Sequence, residues 1–312
     1  MTRWKDFVAM LDLITALVVC GGSAAAQTGD LAVLHNERGL QLLALTDAVQ
    51  PTLRVVVPGH ALSDRSIEIL VPEHVTAVKH GSTAAEHLFL PSSDRSTDRP
   101  AWRSIGRSFE YTRELSGGVD MVAHATLEDD GIRIQYELKN RSAVQYDMIY
   151  AVTDPRLTGI FHDVRLERTY VHHSDGFDLL ASDVPNRVTL PLTRWLPSRV
   201  LASFTWPVPP LRMERREDDI TYYNKSRPVD VPLIVTRSTD GEWVVASFSQ
   251  APGNVWSNPE LTCQHVDPQA SLSPQQRIVL EVKILVIRGS LDDALHRAFR
   301  QRDSMKPGNA PK

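Results

Sequence analysis

The chain has little cysteine, no excess of basic residues and no apolar stretch of bilayer length, and each shortage excludes something. Cysteine occurs at only two of 312 positions, Cys20 and Cys263. No CxxC or HExxH spacing is present, so spacing alone points to no zinc motif and no cofactor. Lys and Arg total 34 against 38 Asp and Glu, a formal net charge of −4. Nucleic acid asks for a basic face, so it is not an expected partner. The longest apolar run, Leu13–Cys20 with Thr15 inside it, falls far short of the roughly 20 residues that span a bilayer, so no membrane span is expected. Neither a G-x-S-x-G elbow nor a Gly-rich phosphate loop is present.

What is present begins with an export pattern. Arg3 and Lys5 precede the apolar run, small residues fill Gly21–Ala26, and Ala24-Ala25-Ala26 before Gln27 has the shape of a signal-peptidase site. Residues 1–26 are expected to be a signal peptide, which places the protein in the periplasm or outside the cell. A lipid-anchored Cys20 is the lesser option. Residues 27–303 are expected to form one β-sandwich domain, and 304–312 a flexible tail. After removal of the leader one thiol remains, so the fold relies on its core rather than on an internal disulfide.

The strongest local pattern runs from Val119 to Asn140. Apolar and polar residues alternate on both sides of Glu128-Asp129-Asp130-Gly131, which is the signature of a hairpin with one face in the core. Further short strands are expected over Leu31–Leu34, Leu40–Leu45, Thr52–Val57, Ser66–Leu70, Tyr146–Val152, Arg165–His172, Phe177–Leu180, Arg187–Leu190, Val200–Trp206, Ile220–Tyr223, Val231–Thr236, Trp243–Ser249 and Arg277–Ile287. Turns are expected between them, Asp154-Pro155 included. Many short strands with frequent turn signals predict a large antiparallel, all-β sandwich. Helix is expected only at Leu291–Arg302, where Ser290 can cap the N-terminus and Leu291, Ala294, Leu295, Ala298 and Phe299 form an apolar stripe.

The strand ending in Tyr136-Glu137-Leu138-Lys139-Asn140, with more strands after it, resembles the central sheet of the galactose-mutarotase-like supersandwich superfamily. That resemblance implies a supersandwich fold and sugar-related chemistry. The Asn-His pair that marks true mutarotases is replaced after Asn140 by Arg141-Ser142-Ala143-Val144-Gln145-Tyr146, a departure from the epimerase pattern. The stretch Cys263-Gln264-His265-Val266-Asp267-Pro268 is similar to a C-x-H-x-D-P turn found in secreted bacterial β-sandwich proteins that carry no assigned activity.

Three groups of residues could carry chemistry. If extended, Cys263, His265 and Asp267 share one face, where thiol, imidazole and carboxylate can bind a ligand or move protons. Alternatively, they belong to an Asp-Pro turn, with His265 bonded to backbone and Cys263 buried as a small hydrophobe. His172, His173 and Asp175 sit at a turn, as loop ligands or as solvated polar residues. Trp195, Trp206, Tyr222, Tyr223 and Trp256 offer ring faces on which a sugar can stack. The ligand-binding set expected from sequence is therefore His172, His173, Asp175, His265, Asp267, Trp206 and Trp256, with no metal. The functional expectation is an exported, non-catalytic protein that binds an oligosaccharide or polysaccharide. A carbohydrate-active enzyme (lyase, hydrolase or epimerase) and an envelope scaffold stay open as alternatives.

Overall fold

A computed structural model of the chain describes residues 33–59, 66–92, 96–203, 213–215, 219–250, 252 and 254–305. The expected leader and Trp206 lie outside these residues. The described part folds as the expected antiparallel β-sandwich. One sheet of seven strands runs Leu34–His35, Gln41–Leu45, Thr52–Val56, Ser66–Lys79, Tyr146–Leu157 and Gln269–Leu272, with Ala85–Phe89 also paired to Ser66–Lys79. A nine-stranded sheet runs Gly176–Leu179, Thr169–His173, Leu233–Arg237, Trp243–Ser249, Arg277–Arg288, Gly131–Asn140, Val119–Glu128, Ser108–Leu115 and Arg103–Ile105. A smaller sheet joins Met213–Arg215, Thr221–Asn224, Ser198–Ser203 and Asn254–Ser257, and contains the parallel pair Ser198–Ser203 with Thr221–Asn224.

The hairpin pairs Val119 with Asn140 through to Glu128 with Gly131, and burial alternates strictly along its first strand. Gly131 has φ +147°, and a Cβ there would stand 2.0 Å from the Ile284 carbonyl oxygen. Only glycine lets the neighbouring strand approach this closely. Side chains of both large sheets, among them Leu53, Ile69, Ile134 and Tyr136, interleave in one core. Two tyrosines of the nine-stranded sheet reach across it. Tyr111 Oη donates to the Val71 carbonyl (2.6 Å), and Tyr136 Oη bonds Thr153 Oγ1 (2.8 Å).

The opposite face of the nine-stranded sheet is covered by the helix Leu291–Arg302. Ala294, Leu295 and Ala298 pack on Leu233, Val235, Phe248 and Leu285. Its capping box is complete: Ser290 Oγ accepts from the Asp293 amide, and Asp293 Oδ2 accepts from the Ser290 amide. Phe299, expected in the apolar stripe, stands 41% exposed, with the Arg302 guanidinium over its ring. Beneath the helix lies a buried ionic network. Lys283, fully buried, bonds Glu128 Oε2 and Asp130 Oδ1. Arg297 and Gln301 of the helix hold Asp130 Oδ2, while Arg133 links Glu128 to Glu281.

Several expected elements are corrected. The strand read as ending at Leu70 continues to Lys79, and Asp154-Pro155 lies inside a strand rather than at a turn. Arg187–Leu190 is a turn, closed by amides of Thr189 and Leu190 donating to the Asn186 carbonyl, with Asn186 at φ +53°. Ordered strand begins at Thr169, not Arg165. The preceding residues instead wrap the Asp163 carboxylate, which accepts from the amides of Glu167 and Arg168.

Candidate functional site

The site grows from an interruption in two neighbouring strands of the seven-stranded sheet. Strands Ser66–Lys79 and Tyr146–Leu157 pair along their length apart from a small shift between Tyr146 and Met148 and a larger one where Val152 opposes His74 while Asp154 opposes Leu70. Val71, Pro72 and Glu73 thus lie opposite Thr153 alone. Such a bulge bends a strand and re-aims its side chains. The two tyrosine hydroxyls described above hold Val71 and Thr153, on either side of this bulge.

Against it lies the extended segment 263–267. His265 exchanges both backbone hydrogen bonds with Trp256, and the Gln264 amide donates to the Pro155 carbonyl. Period two then divides the side chains. Gln264 points into the core, bonding Thr236, Val245 and Ser247. Cys263, His265 and Asp267 turn toward Asp154, so the shared face expected from sequence is present. Thr262, just before them, is fully buried at φ +48°. A β-branched residue there is strained, and the Asp163 amide donating to its Oγ1 (2.7 Å) holds it in place.

The His265 ring lies flat on Trp256, with centroids 3.7 Å apart and planes 3° apart. Its Nε2 is 3.4 Å from Asp154 Oδ1 and its Nδ1 is 3.5 Å from Asp267 Oδ2. Neither contact has hydrogen-bond alignment, so Asp154 Oδ1 and His265 Nδ1 are buried without a hydrogen-bond partner. The other carboxylate oxygens are held: Arg156 Nε meets Asp154 Oδ2 at 2.6 Å, and the Thr153 amide donates to Asp267 Oδ1 at 3.0 Å. Arg156 also reaches Glu73 at 3.3 Å.

Charges here are shifted in opposing directions. Burial opposes ionisation of Asp154, but His265 and Arg156 outweigh it and hold the carboxyl below its ordinary value. Burial, then the Asp154 charge, raise Glu73, and burial raises Asp267 and the Cys263 thiol. Burial also disfavours charge on His265, yet Cys263, Asp154 and Asp267 outweigh it and lift the imidazole well above its usual range. His74 moves the other way: burial, His87 and His265 push it down to about 4.

Two adjoining pockets open above this floor, about 330 Å³ and 360 Å³ in volume, with His74 and Trp256 on their shared wall. Met148, Tyr150 and Asp267 line the first, and Glu73, Asp154, Arg199, Asn258 and His265 the second. Thr76 Oγ1 fixes both His74 and His87 through their Nδ1 atoms, at 2.9 and 2.8 Å. A larger hollow of about 1100 Å³ continues beyond Gln50, His87 and Leu90, which it shares with the second pocket.

The structure thus brings together His265, Asp267 and Trp256 from the expected set. It does not bring in His172, His173 or Asp175. These pair instead with Asp230 (2.8 Å), the Pro228 carbonyl (2.7 Å) and Arg227 (2.8 Å) at the end of the nine-stranded sheet, and none of them lines the cleft. Trp195 and Tyr223, expected as sugar platforms, are core residues packed on one another. Missed from sequence were Glu73, His74, Asp154, Arg156 and Arg199. For all but Arg199 the signal was polar residues and prolines inside otherwise apolar strands, Pro72-Glu73-His74 and Asp154-Pro155-Arg156.

No family model matches the chain, and no curated protein matches it. Solved structures do. A GalM/aldose epimerase homologue from C. elegans superposes with a TM-score of 0.50 at 10% identity, covering 83% of this chain and 98% of that one. A galactose mutarotase-like protein from Lactobacillus casei gives 0.48 at 10% identity over 82% and 99%. An α-N-acetylgalactosaminidase from Bifidobacterium bifidum gives 0.47 at 11% identity over 88% of this chain and 39% of that one. At these identities the likeness is one of fold, and the fold of this chain is galactose-mutarotase-like.

Proposed function

We propose that the protein binds a saccharide in the cleft around Trp256 and His74. The observation that carries this reading is the make-up of the paired pockets. Their shared wall is aromatic, and facing walls supply acceptors (Glu73, Asp267) and donors (Arg199, Asn258). A sugar ring has apolar C–H faces and hydroxyls around its rim, and a mixed wall of this kind matches both. The adjoining hollow gives room for further residues of an oligosaccharide or polysaccharide. The pattern of residues 1–26 supports an exported protein that meets its ligand outside the cytoplasm. Mass spectrometry of the secreted chain should then find Gln27 at its N-terminus.

The test is calorimetric titration of the folded chain against a panel of neutral, acidic and N-acetylated oligosaccharides. Saturable binding that weakens tenfold or more in Trp256→Ala, about 1.4 kcal/mol, is the expected result. Binding unchanged in that variant, or no binding across the panel, rejects the reading.

A second reading, a carbohydrate-active enzyme, is favoured by the cleft floor. Binding alone does not require a buried imidazole between two carboxylates, where burying charge is costly. Reducing-end release, new unsaturated ends and anomer exchange, each measured with wild type and Asp154→Asn, separate hydrolase, lyase and epimerase from pure binding.

A further inference from the structure

The floor of the cleft holds three different metal-binding donors converging on one point. We propose that Asp154, Cys263 and His265 form a zinc site whose fourth position opens into the cleft. A carboxylate oxygen, the thiol sulfur and an imidazole nitrogen of these residues all lie within 4.8 Å of one another, and all three residues are buried. Asp154 Oδ1 and His265 Nε2 are 3.4 Å apart. Two atoms bonded to one tetrahedral zinc, at about 2.0–2.2 Å each, stand roughly 3.3–3.6 Å apart.

A second observation is independent of this spacing. Asp154 Oδ1 is buried with no hydrogen-bond partner, while Oδ2 of the same carboxylate is taken by Arg156. Buried carboxylate oxygens are rarely left so, and an ion is among the ordinary reasons when one is. The surroundings of His265 also suit a ligand. The Trp256 ring fixes its plane, and Asp267 stands behind its Nδ1 at 3.5 Å. A carboxylate that takes up the distal N–H of a zinc-bound histidine sets its tautomer and orientation, and Asp267 is near enough to do so once the metal engages Nε2.

The donor set selects the metal. Calcium and magnesium prefer oxygen ligands, whereas thiolate with imidazole and one carboxylate suits zinc. Three protein ligands and an open position are the arrangement of a working zinc rather than a purely structural one. Asp154 and His265 line the cleft and Cys263 does not, so an ion between them has the thiolate behind it and the cleft in front. A water or a sugar hydroxyl can complete the coordination there. The proposal stands on these donors and holds whether or not the cleft binds saccharide.

The experiment is metal titration of the whole folded chain, first stripped with a chelator and confirmed folded by circular dichroism. Zn²⁺ uptake is followed by calorimetry, and Co²⁺ serves as a visible substitute. One ion per chain is expected, with a thiolate-to-cobalt charge-transfer band and the intense ligand-field bands of tetrahedral coordination. Cys263→Ser should lose the charge-transfer band, and Asp267→Asn should keep it while weakening affinity by about 10–100-fold. If Cys263→Ser fails to fold, Asp154→Asn, which keeps the side-chain volume, should weaken uptake and alter the ligand-field bands. Substoichiometric uptake by the intact chain, or a cobalt spectrum unchanged in a folded Cys263→Ser or Asp154→Asn variant, overturns the proposal.

Discussion

Two of the buried charge clusters among the described residues are built in opposite ways. Beneath the C-terminal helix, Lys283 sits between Glu128 and Asp130, and Arg133, Arg297 and Gln301 take up the remaining carboxylate oxygens. At the cleft floor, Asp154, His265 and Asp267 stand at ion-pair distance, yet two of their polar atoms have no hydrogen bond. Burying a charge is tolerable when its hydrogen bonds are complete and costly when they are not. In the first cluster every carboxylate oxygen of Glu128 and Asp130 is paired, though Gln301 Oε1 is not, and the cluster reads as architecture, joining helix to sheet. The second reads as a site held ready for a ligand, supported by a bulge on one side and by strained Thr262 on the other.

The largest effect that could break this contrast is Lys283→Met. Removing the cation leaves Asp130 and Glu128 short of a partner and should cost about 3 kcal/mol, the low end for breaking a buried pair because Arg133 and Arg297 remain. The urea midpoint measures it, and saccharide binding should be unaffected. An unchanged midpoint would mean that the network is not structural.

Acid should find the same weak point. Glu128 and Asp130 feel burial, but the nearby Lys283 and Arg133 or Arg297 outweigh it and hold both carboxyls below their ordinary values of 4.5 and 3.8. Folded values below unfolded ones give a stability that is complete above about pH 5 and is lost as pH falls through the folded values. Urea midpoints of wild type should therefore drop steeply below pH 4.5, and Lys283→Met should show a shallower fall.

How much of this was legible beforehand follows the same divide. The hairpin Val119–Asn140 and the helix Leu291–Arg302 could be read because their patterns are local: alternation and an Asp-Gly turn in one, a serine cap and apolar stripe in the other. Half of the cleft could be read for the same reason, since Cys263, His265 and Asp267 need only an extended backbone to share a face. Asp154 could not. It lies 111 residues before His265 in the chain, and the proline after it suggested a turn where the strand in fact continues. Pro72 had the same effect, in a strand expected to end at Leu70 that runs nine residues further, to Lys79. In both places proline removes a ladder donor and hides a strand at a bulge, and the side chains of the candidate site sit at these irregularities.

Two smaller effects sharpen the comparison. Ser290→Ala removes the cap that starts the helix carrying Arg297 and Gln301, and should cost about 1 kcal/mol in thermal or urea unfolding. Asp154→Asn removes the carboxylate that Arg156 and His265 hold, so it should destabilise the fold, but by less than Lys283→Met because one of its oxygens has no hydrogen bond to lose. Its effect belongs in ligand and metal titrations, where it should be the largest of the set. A destabilisation as great as that of Lys283→Met would remove the distinction between the two clusters.

The stacked pair at the cleft wall has an optical consequence. The chain holds six tryptophans; among the described residues, the indole of Trp256 alone lies parallel on an imidazole, at 3.7 Å. Contact of that kind drains the excited state of an indole, so this ring should contribute little to emission at rest, and Trp256→Phe should leave the spectrum almost unchanged. An occupant that prises the rings apart would switch on a lamp that had been dark, and the protein carries its own gauge of when the cleft is filled.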